Sequence, residues 1–443
     1  MISYLDNILF FIVLSIGISY FTIHIRKILR NIKLGHDVNR SDNPSERWKN
    51  MAYIALGQSR MVKRPIAGIL HVIVYVGFII INIEVLEIII DGLFGTHRIF
   101  SFLGIVYNIL IASFEILAVL VLIAVIIFWT RRNAIKLKRF VGSDLKGWPK
   151  SDANYILYFE VVLMSLFLLM NASDLWLQTM NAPHYSQAGS FPISQFIAPI
   201  FNGMQEGSVI LIERAAWWLH ICGILVFLNY LYFSKHLHIL LAFPNTYFAD
   251  LNPQGKFDNL ESVTKEVKLM MDPNADPFAT PAPNENEVPT KFGASDVQDL
   301  NWVQLLNAYT CTECGRCTSV CPANITGKKL SPRKIMMDTR DRLVEVGNNI
   351  DTNKGIFIPD NKSLLNDYIT PEELWACTSC NACVEECPVN ISPLSIIMDM
   401  RRYLVMEKSA APMPVNAMMT NVENNGAPWQ YNQQDRLNWK NEN

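Results

Sequence analysis

Eight of the nine cysteines fall in two runs of one pattern, Cys311-x2-Cys314-x2-Cys317-x3-Cys321-Pro322 and Cys377-x2-Cys380-x2-Cys383-x3-Cys387-Pro388. Closely spaced thiolates are soft ligands that suit iron–sulfur clusters or zinc. A zinc site has no need of the third close cysteine in each run. A C-x2-C-x2-C-x3-C-P run holds three thiolates around one cubane, and its fourth cysteine turns away at the proline to the neighbouring cluster. On this reading the two runs interlock. Cluster one takes Cys311, Cys314, Cys317 and Cys387, and cluster two takes Cys377, Cys380, Cys383 and Cys321. Crossed ligation holds two [4Fe-4S] cubanes close together, as electron hopping requires. The ninth cysteine, Cys222, stands alone in an apolar run and reads as a small hydrophobe.

Each run feeds directly into a helix. Ser331-Pro332 opens the segment RKIMMDTRDRL, and Ser392-Pro393 opens LSIIMDMRRYL. Serine as N-cap with proline at the first helical position is a strong start signal. The two runs begin 66 positions apart, whereas a compact β-rich ferredoxin keeps its motifs much closer. The expected platform is therefore a helical ferredoxin domain over 301–408.

The 443 residues carry 38 Lys or Arg against 40 Asp or Glu, so net charge gives no reason to expect nucleic acid as a partner. The averages hide a split: residues 1–245 are dominated by apolar runs, and 246–443 read as a soluble protein. A hydrocarbon core of about 30 Å needs about 20 apolar residues in a helix. Five segments qualify, near Tyr4–Ile25, Pro65–Ile90, Phe102–Thr130, Asn154–Leu177 and Val209–Phe233. The first has its basic residues after it and no small-residue cleavage site, which argues against a cleavable signal. The connections 26–64 and 131–152 hold ten and seven Lys or Arg, whereas 91–101 holds one (Arg98) and 178–208 none. The positive-inside rule then places the N-terminus outside an inner, cytoplasmic membrane and everything after about residue 240 in the cytoplasm. The fold class is all-α: a five-helix, cytochrome b-like bundle followed by a cytoplasmic helical ferredoxin domain. Residues 246–300, rich in Asp, Asn and Pro, read as a linker. Residues 409–443, Asn-rich with Trp429 and Trp439, read as a disordered or partner-binding tail. In the connection 178–208, the apolar stretch Ile193–Phe201 is expected to lie in the interface over one end of the bundle. Glu115 and Glu160 fall inside spans, where a carboxylate is costly and marks either function or a bond to a neighbouring helix.

Haem b in such a bundle needs two axial imidazoles from facing helices at one depth. His71 lies seven residues after Arg64, about 10 Å in at 1.5 Å per residue, and His238 lies at the matching end of the fifth span. The pair is the expected haem ligand set, with His24 and His236 as competitors. His220 precedes His238 by 18 residues, five turns of an uninterrupted helix, so it is the candidate for a second haem about 27 Å away. No second histidine lies deeper in span two to face it.

These features resemble two known families. Residues 1–245 are similar to the five-helix gamma subunit of membrane-bound nitrate reductase. There, two histidines of span two and two of span five bind two haems b. His71, His220 and His238 match, and Ile81 stands where the fourth would be. Residues 295–405, through CTECGRCTSVCPANITGKKLSP and EELWACTSCNACVEECPVNISP, resemble the ferredoxin domain of the D-type iron–sulfur proteins of heterodisulfide reductase. The fusion looks like the membrane iron–sulfur proteins proposed to link electron-transfer flavoprotein to menaquinone. Longer relatives add a cysteine-rich domain with Cys-Cys pairs, and no cysteine follows Cys387 here. The resemblance thus implies a quinone-linked oxidoreductase subunit with a cysteine-rich partner subunit. Electrons would pass from a cytoplasmic donor, electron-transfer flavoprotein or a dithiol, through the clusters and haem b to menaquinone. Glu115, Glu160 or His220 would be the groups placed to relay quinone protons. The alternatives are a quinol-oxidising subunit that feeds a heterodisulfide- or sulfite-reductase-type partner, and a membrane anchor whose clusters are structural.

Overall fold

The computed structural model describes residues 4–273 and 291–441. No strand forms among the described residues, and extended backbone pairs only in isolated bridges such as His36 with Asn301. Part of the expected linker, 274–290, lies outside the described residues.

Five long helices are apolar enough to cross a membrane. They are α1 (Leu5–Ile32), α2 (Pro65–Phe94), α3 (Ile105–Trp129), α4 (Trp148–Thr179) and α5 (Glu206–Tyr230). Helix α1 outruns its apolar run because the polar turn RKILRNI continues the helix. Its 28 residues span about 42 Å, so its last turn stands beyond the hydrocarbon. The third helix starts later than its apolar run: Ile99–Leu103 forms a 3-10 turn, and Gly104 at φ +58° sets a break before Ile105. The helices close a ring in which α2 packs between α1 and α3, α4 follows α3, and α5 returns to α1. Ile111, Ala118, Phe167 and Ile221 fill its interior, while Ile8, Ile69, Ile109 and Leu211 face outward, as lipid requires. The stretch Ser194–Phe201 folds back onto α4, with Ala198 and Phe201 buried.

The fifth span does not run unbroken to His238. Helix α5 gives way to a 3-10 turn at Leu231–Phe233, and Ser234 is extended. Asp152 of α4 holds this break, accepting from Tyr230 Oη at 2.6 Å and from the Lys235 amide at 3.1 Å. His238 opens a new helix, α6 (His238–Tyr247). The five-turn phase that put His220 and His238 on one helix face therefore does not apply.

The C-terminal part is built on α7 (Trp302–Thr310), α8 (Pro332–Thr352) and α9 (Pro393–Arg402). Leu305, Ile335, Leu343, Val346, Ile396 and Met400 form its fully buried core. Residues 291–300, which composition groups with the linker, belong to this core: Ala294, Val297 and Leu300 are buried. The wholly buried Arg342 grips Asp296 and Asp360. Helix α10 (Met413–Asn425) buries none of its side chains.

Polar contacts seat this domain on the bundle. Asn31, in the protruding turn of α1, donates to Tyr309 Oη at 2.8 Å. Arg316 donates to the carbonyls of Arg60 and Met61 at 3.0 and 2.9 Å. Arg333 pairs with Asp144 at 2.6 Å and donates to the Arg139 carbonyl at 2.7 Å. Gly35 lies so close under the backbone of residues 300–302 that a Cβ there would collide. The buried guanidinium groups of Arg316, Arg333 and Arg342 are each paired or hydrogen-bonded, as burial of charge demands.

Candidate metal centre

The two cysteine runs fold alike. Two residues after its first cysteine the chain turns left-handed, at Glu313 (φ +54°) and Ser379 (φ +56°), and again two residues later at Gly315 (φ +70°) and Asn381 (φ +58°). Glycine and asparagine tolerate this region; glutamate and serine adopt it only when their surroundings compel it. Short helices Arg316–Val320 and Ala382–Glu386 then carry the third cysteines. The fourth cysteine of each run is extended before its proline. Beyond each run, Ser331 caps α8 and Ser392 caps α9, each hydroxyl accepting a backbone N–H at 3.3 Å.

The folded runs enclose two adjoining cavities. One is lined by Cys311, Cys314, Cys317 and Cys387 with Arg316 and Arg333. The other is lined by Cys321, Cys377 and Cys380. Cys383 borders both. Each run thus sends its fourth cysteine to the cavity framed by the other run. Cys311, Cys321, Cys383 and Cys387 are buried, whereas Cys380 is exposed. Backbone N–H groups point at sulfur: Ser379 to Cys377 at 3.4 Å and Ile391 to Cys387 at 3.3 Å.

Burial pushes the Cys311 and Cys383 thiols up to about 12 and Cys387 up to about 11, with neighbouring sulfurs adding to the effect. Thiolates at these buried positions are therefore favoured only beside positive charge, which a bound metal would supply. Among the described residues no three Cys, His, Asp or Glu groups converge on a point suited to one metal ion. The four sulfurs of each set surround a space instead, which fits a multi-iron group.

Between its first two cysteines the first run carries a charge that the second lacks. Glu313, between Cys311 and Cys314, is buried and paired with Lys235 and, at 2.8 Å, with Arg340. Burial pushes its carboxyl up, but these two cations outweigh burial and hold it below the ordinary glutamate value. Ser379 occupies the equivalent place in the second run. Sequence reasoning missed this pairing, because Lys235 and Glu313 lie 78 residues apart. Its one local sign was an acidic residue between thiolate ligands.

Three histidines gather beside the first cavity. The rings of His236 and His238 lie 5.3 Å apart. Burial pulls His236 down to about 3, and the neighbouring imidazoles of His238 and His71 add to the effect. Arg316, in the wall of the first cavity, donates to the carbonyls of Arg60 and Met61, a few residues before the helix that carries His71. Among the described residues, His71 Nδ1 has no hydrogen-bond partner. His238 Nδ1 faces the Lys235 carbonyl at 3.1 Å, and His220 Nδ1 faces the Leu163 carbonyl at 3.0 Å. A carbonyl only accepts, so both Nδ1 atoms carry hydrogen and both Nε2 atoms keep a free lone pair, the form a metal ligand takes. His220 is buried against Phe167 (ring centroids 6.0 Å apart), in the α5 segment, apart from the three. His24 instead packs between Tyr20 and Tyr232 and is partly exposed.

Of the intramembrane acids, Glu115 accepts the Ile193 and Ser194 amides at 2.8 and 3.1 Å, tying the 178–208 connection to α3. Glu160 makes no ion pair among the described residues. At the bundle end away from the cavities, Arg98 is buried against Asp174 (2.5 Å), Asn171 (2.9 Å) and Tyr107 (3.1 Å), and His97 also meets Asp174.

Comparison with known proteins identifies the cysteine region: residues 310–391 match the 4Fe-4S dicluster domain family. This part of the chain is a 4Fe-4S dicluster domain. Over 99% of its length the chain is 32% identical to the probable iron–sulfur-binding oxidoreductase FadF of Bacillus subtilis, covering 61% of that protein. It is 27% identical to the EtfAB:quinone oxidoreductase of Syntrophomonas wolfei, over 98% of the chain and 59% of the relative. Over 33% of its length the chain is 34% identical to 24% of a probable membrane-anchored ferredoxin of Chromohalobacter salexigens. The C and D chains of archaeal heterodisulfide reductases are homologous over shorter stretches. The chain spans about three-fifths of the length of the first two of these relatives. No solved structure matches it. The chain is thus a membrane-associated iron–sulfur protein whose homologues are named as oxidoreductases, with the dicluster domain seated on one end of a five-helix ring.

Proposed function

We propose that this chain is the membrane electron-transfer subunit of a quinone-linked oxidoreductase. Cys311, Cys314, Cys317 and Cys387 hold one [4Fe-4S] cluster, and Cys377, Cys380, Cys383 and Cys321 hold the other. His71 and His238 hold a haem b, and His220 is the residue available to a second. The observation that supports the reading is the seating of the histidine-bearing turn on the first four-thiol cavity: Lys235, whose carbonyl faces His238 Nδ1 at 3.1 Å, pairs through its ammonium with Glu313 in the cavity wall. Electrons from a cytoplasmic donor, electron-transfer flavoprotein or a dithiol, reach the exposed cluster through a cysteine-rich partner subunit. They continue through the buried cluster and the histidine pair to menaquinone in the bundle, where two electrons and two protons make the quinol. The orientation that fits is N-terminus outside an inner membrane and dicluster domain in the cytoplasm, because the basic connections 26–64 and 131–152 lie on the domain side.

Iron, acid-labile sulfide and haem are to be measured on the purified, detergent-solubilised protein, with reduction followed optically. The expected result is equal iron and sulfide in the cluster fraction and a b-type spectrum, reduced by the flavoprotein and reoxidised by a menaquinone analogue. A protein free of sulfide sinks the reading. A b-type band reduced by menaquinol but not by the flavoprotein reverses the direction of flow.

A further inference from the structure

Lys235 reaches both redox sites with different atoms. Its backbone carbonyl accepts the Nδ1 hydrogen of His238 at 3.1 Å and so sets that ring's tautomer and angle. Its ammonium pairs with the Glu313 carboxylate, between Cys311 and Cys314 in the wall of the first cavity. The side chain is held from several directions: it donates to the Pro149 carbonyl at 2.6 Å, and Asp152 Oδ2 lies 3.8 Å from Nζ. Only 9% of the Lys235 side chain and 3% of the Glu313 side chain are exposed, so water screens the pair little. Arg340 completes the set on the domain side.

A buried carboxylate beside thiolate ligands opposes the arrival of an electron at the group they hold, and a buried ammonium favours it. The second run has no counterpart: its equivalent position is the neutral Ser379. We propose that Lys235 and Glu313 form a positioning and potential-setting clamp between the dicluster domain and the histidine-bearing turn. Glu313 lowers, and Lys235 raises, the reduction potential of the buried cluster, and the ion pair fixes the spacing of that cluster from His238. The His238 arm rests on the haem reading above; the cluster arm needs only the dicluster domain.

The test uses full-length protein with Lys235→Met, Lys235→Arg, Glu313→Gln and the double variant Lys235→Met/Glu313→Gln, read by EPR-monitored redox titration. Removing the carboxylate raises the midpoint of the buried cluster, and removing the ammonium lowers it. Each changes the reduced-to-oxidised ratio by about tenfold, or 59 mV for one electron. The double variant returns near the starting value, Lys235→Arg stays there, and the exposed cluster does not move. Arg340 still neutralises Glu313 in Lys235→Met, so that variant keeps its domain seated. Shifts of the same sign in both single variants, equal shifts in both clusters, or no shift with both clusters loaded would each overturn the clamp. If the protein carries no haem, the cluster shifts still decide the proposal, so its failure is told apart from failure of the haem reading.

Discussion

The two cysteine runs have the same spacing, the same left-handed residues and the same serine caps, yet they end in opposite surroundings. The first is pressed against the membrane bundle and ringed by Arg316, Arg333, Arg340 and Lys235 with Glu313 among them. The second opens to solvent at Cys380 and has Arg401 near its backbone, stacked on Trp375 with its Cζ 4.9 Å from the ring centroid. The ligand set is coded locally and twice over. What differs is the charge and water around it, and those are the levers by which a protein separates two chemically identical clusters. The contrast also gives the pair a direction: one faces the histidines, the other the outside.

The largest effect expected from breaking the symmetry comes from Cys387→Ser. Cys387 is coded by the second run but lines the first cavity. Iron and sulfide should fall by about half, and the missing EPR signal should be that of the buried cluster. If the exposed cluster vanishes instead, the crossed arrangement is wrong.

Next in size is the residue after each Ser-Pro. It is Arg333 in the first copy and Leu394 in the second, both buried. Arg333 bolts the domain to the 131–152 connection through Asp144, whereas Leu394 packs in the wall of the second cavity. Arg333→Leu makes the copies alike and leaves Asp144 without its cation, at a cost of about 3–5 kcal/mol. Thermal unfolding of the solubilised protein should show that loss, and Asp144→Leu in the same background should recover part of it. Equal loss in the double variant argues against the pair as the bolt.

A smaller difference concerns removal of iron. Oxidation with an external chelator present should strip the exposed cluster first, because Cys380 is open to water while Cys311 and Cys387 are not. EPR during the treatment follows the order, and simultaneous loss would mean that the burial contrast does not govern access.

How far these features were legible follows from their range in the chain. The cysteine spacing pointed to two interlocked sets, because C-x2-C-x2-C-x3-C-P reads as three ligands and an exchanged fourth, and the fold lines one cavity with Cys387 beside the first run and the other with Cys321 beside the second. The spans were legible because hydropathy is a sum over neighbours, although α1 ran further than its apolar stretch once RKILRNI continued the helix. Helix phase misled at Ser234, where a tertiary contact from Asp152 stops α5 and restarts the chain at α6. Composition misled at 291–300, because Asp296 looks like linker until Arg342 is known to be buried beneath it. Glu313 with Lys235 was invisible for the same reason: each residue is ordinary alone, and only the fold puts them in contact.

The smallest effect tests the local code itself. Ser331 and Ser392 each cap a helix that starts with proline, and each accepts one amide at 3.3 Å. Replacing a serine N-cap by alanine typically costs about 1 kcal/mol. Ser331 has an added role, since its hydroxyl also meets Asp144 of the 131–152 connection and Thr318 of the first cysteine run, each at 3.0 Å. Ser392→Ala should therefore cost about 1 kcal/mol in unfolding of the solubilised protein, and Ser331→Ala somewhat more. The excess should disappear in an Asp144→Asn background. Equal costs in both copies would make the capping code sufficient by itself. An excess that survives Asp144→Asn would place the asymmetry between the runs somewhere other than their contact with the membrane connection.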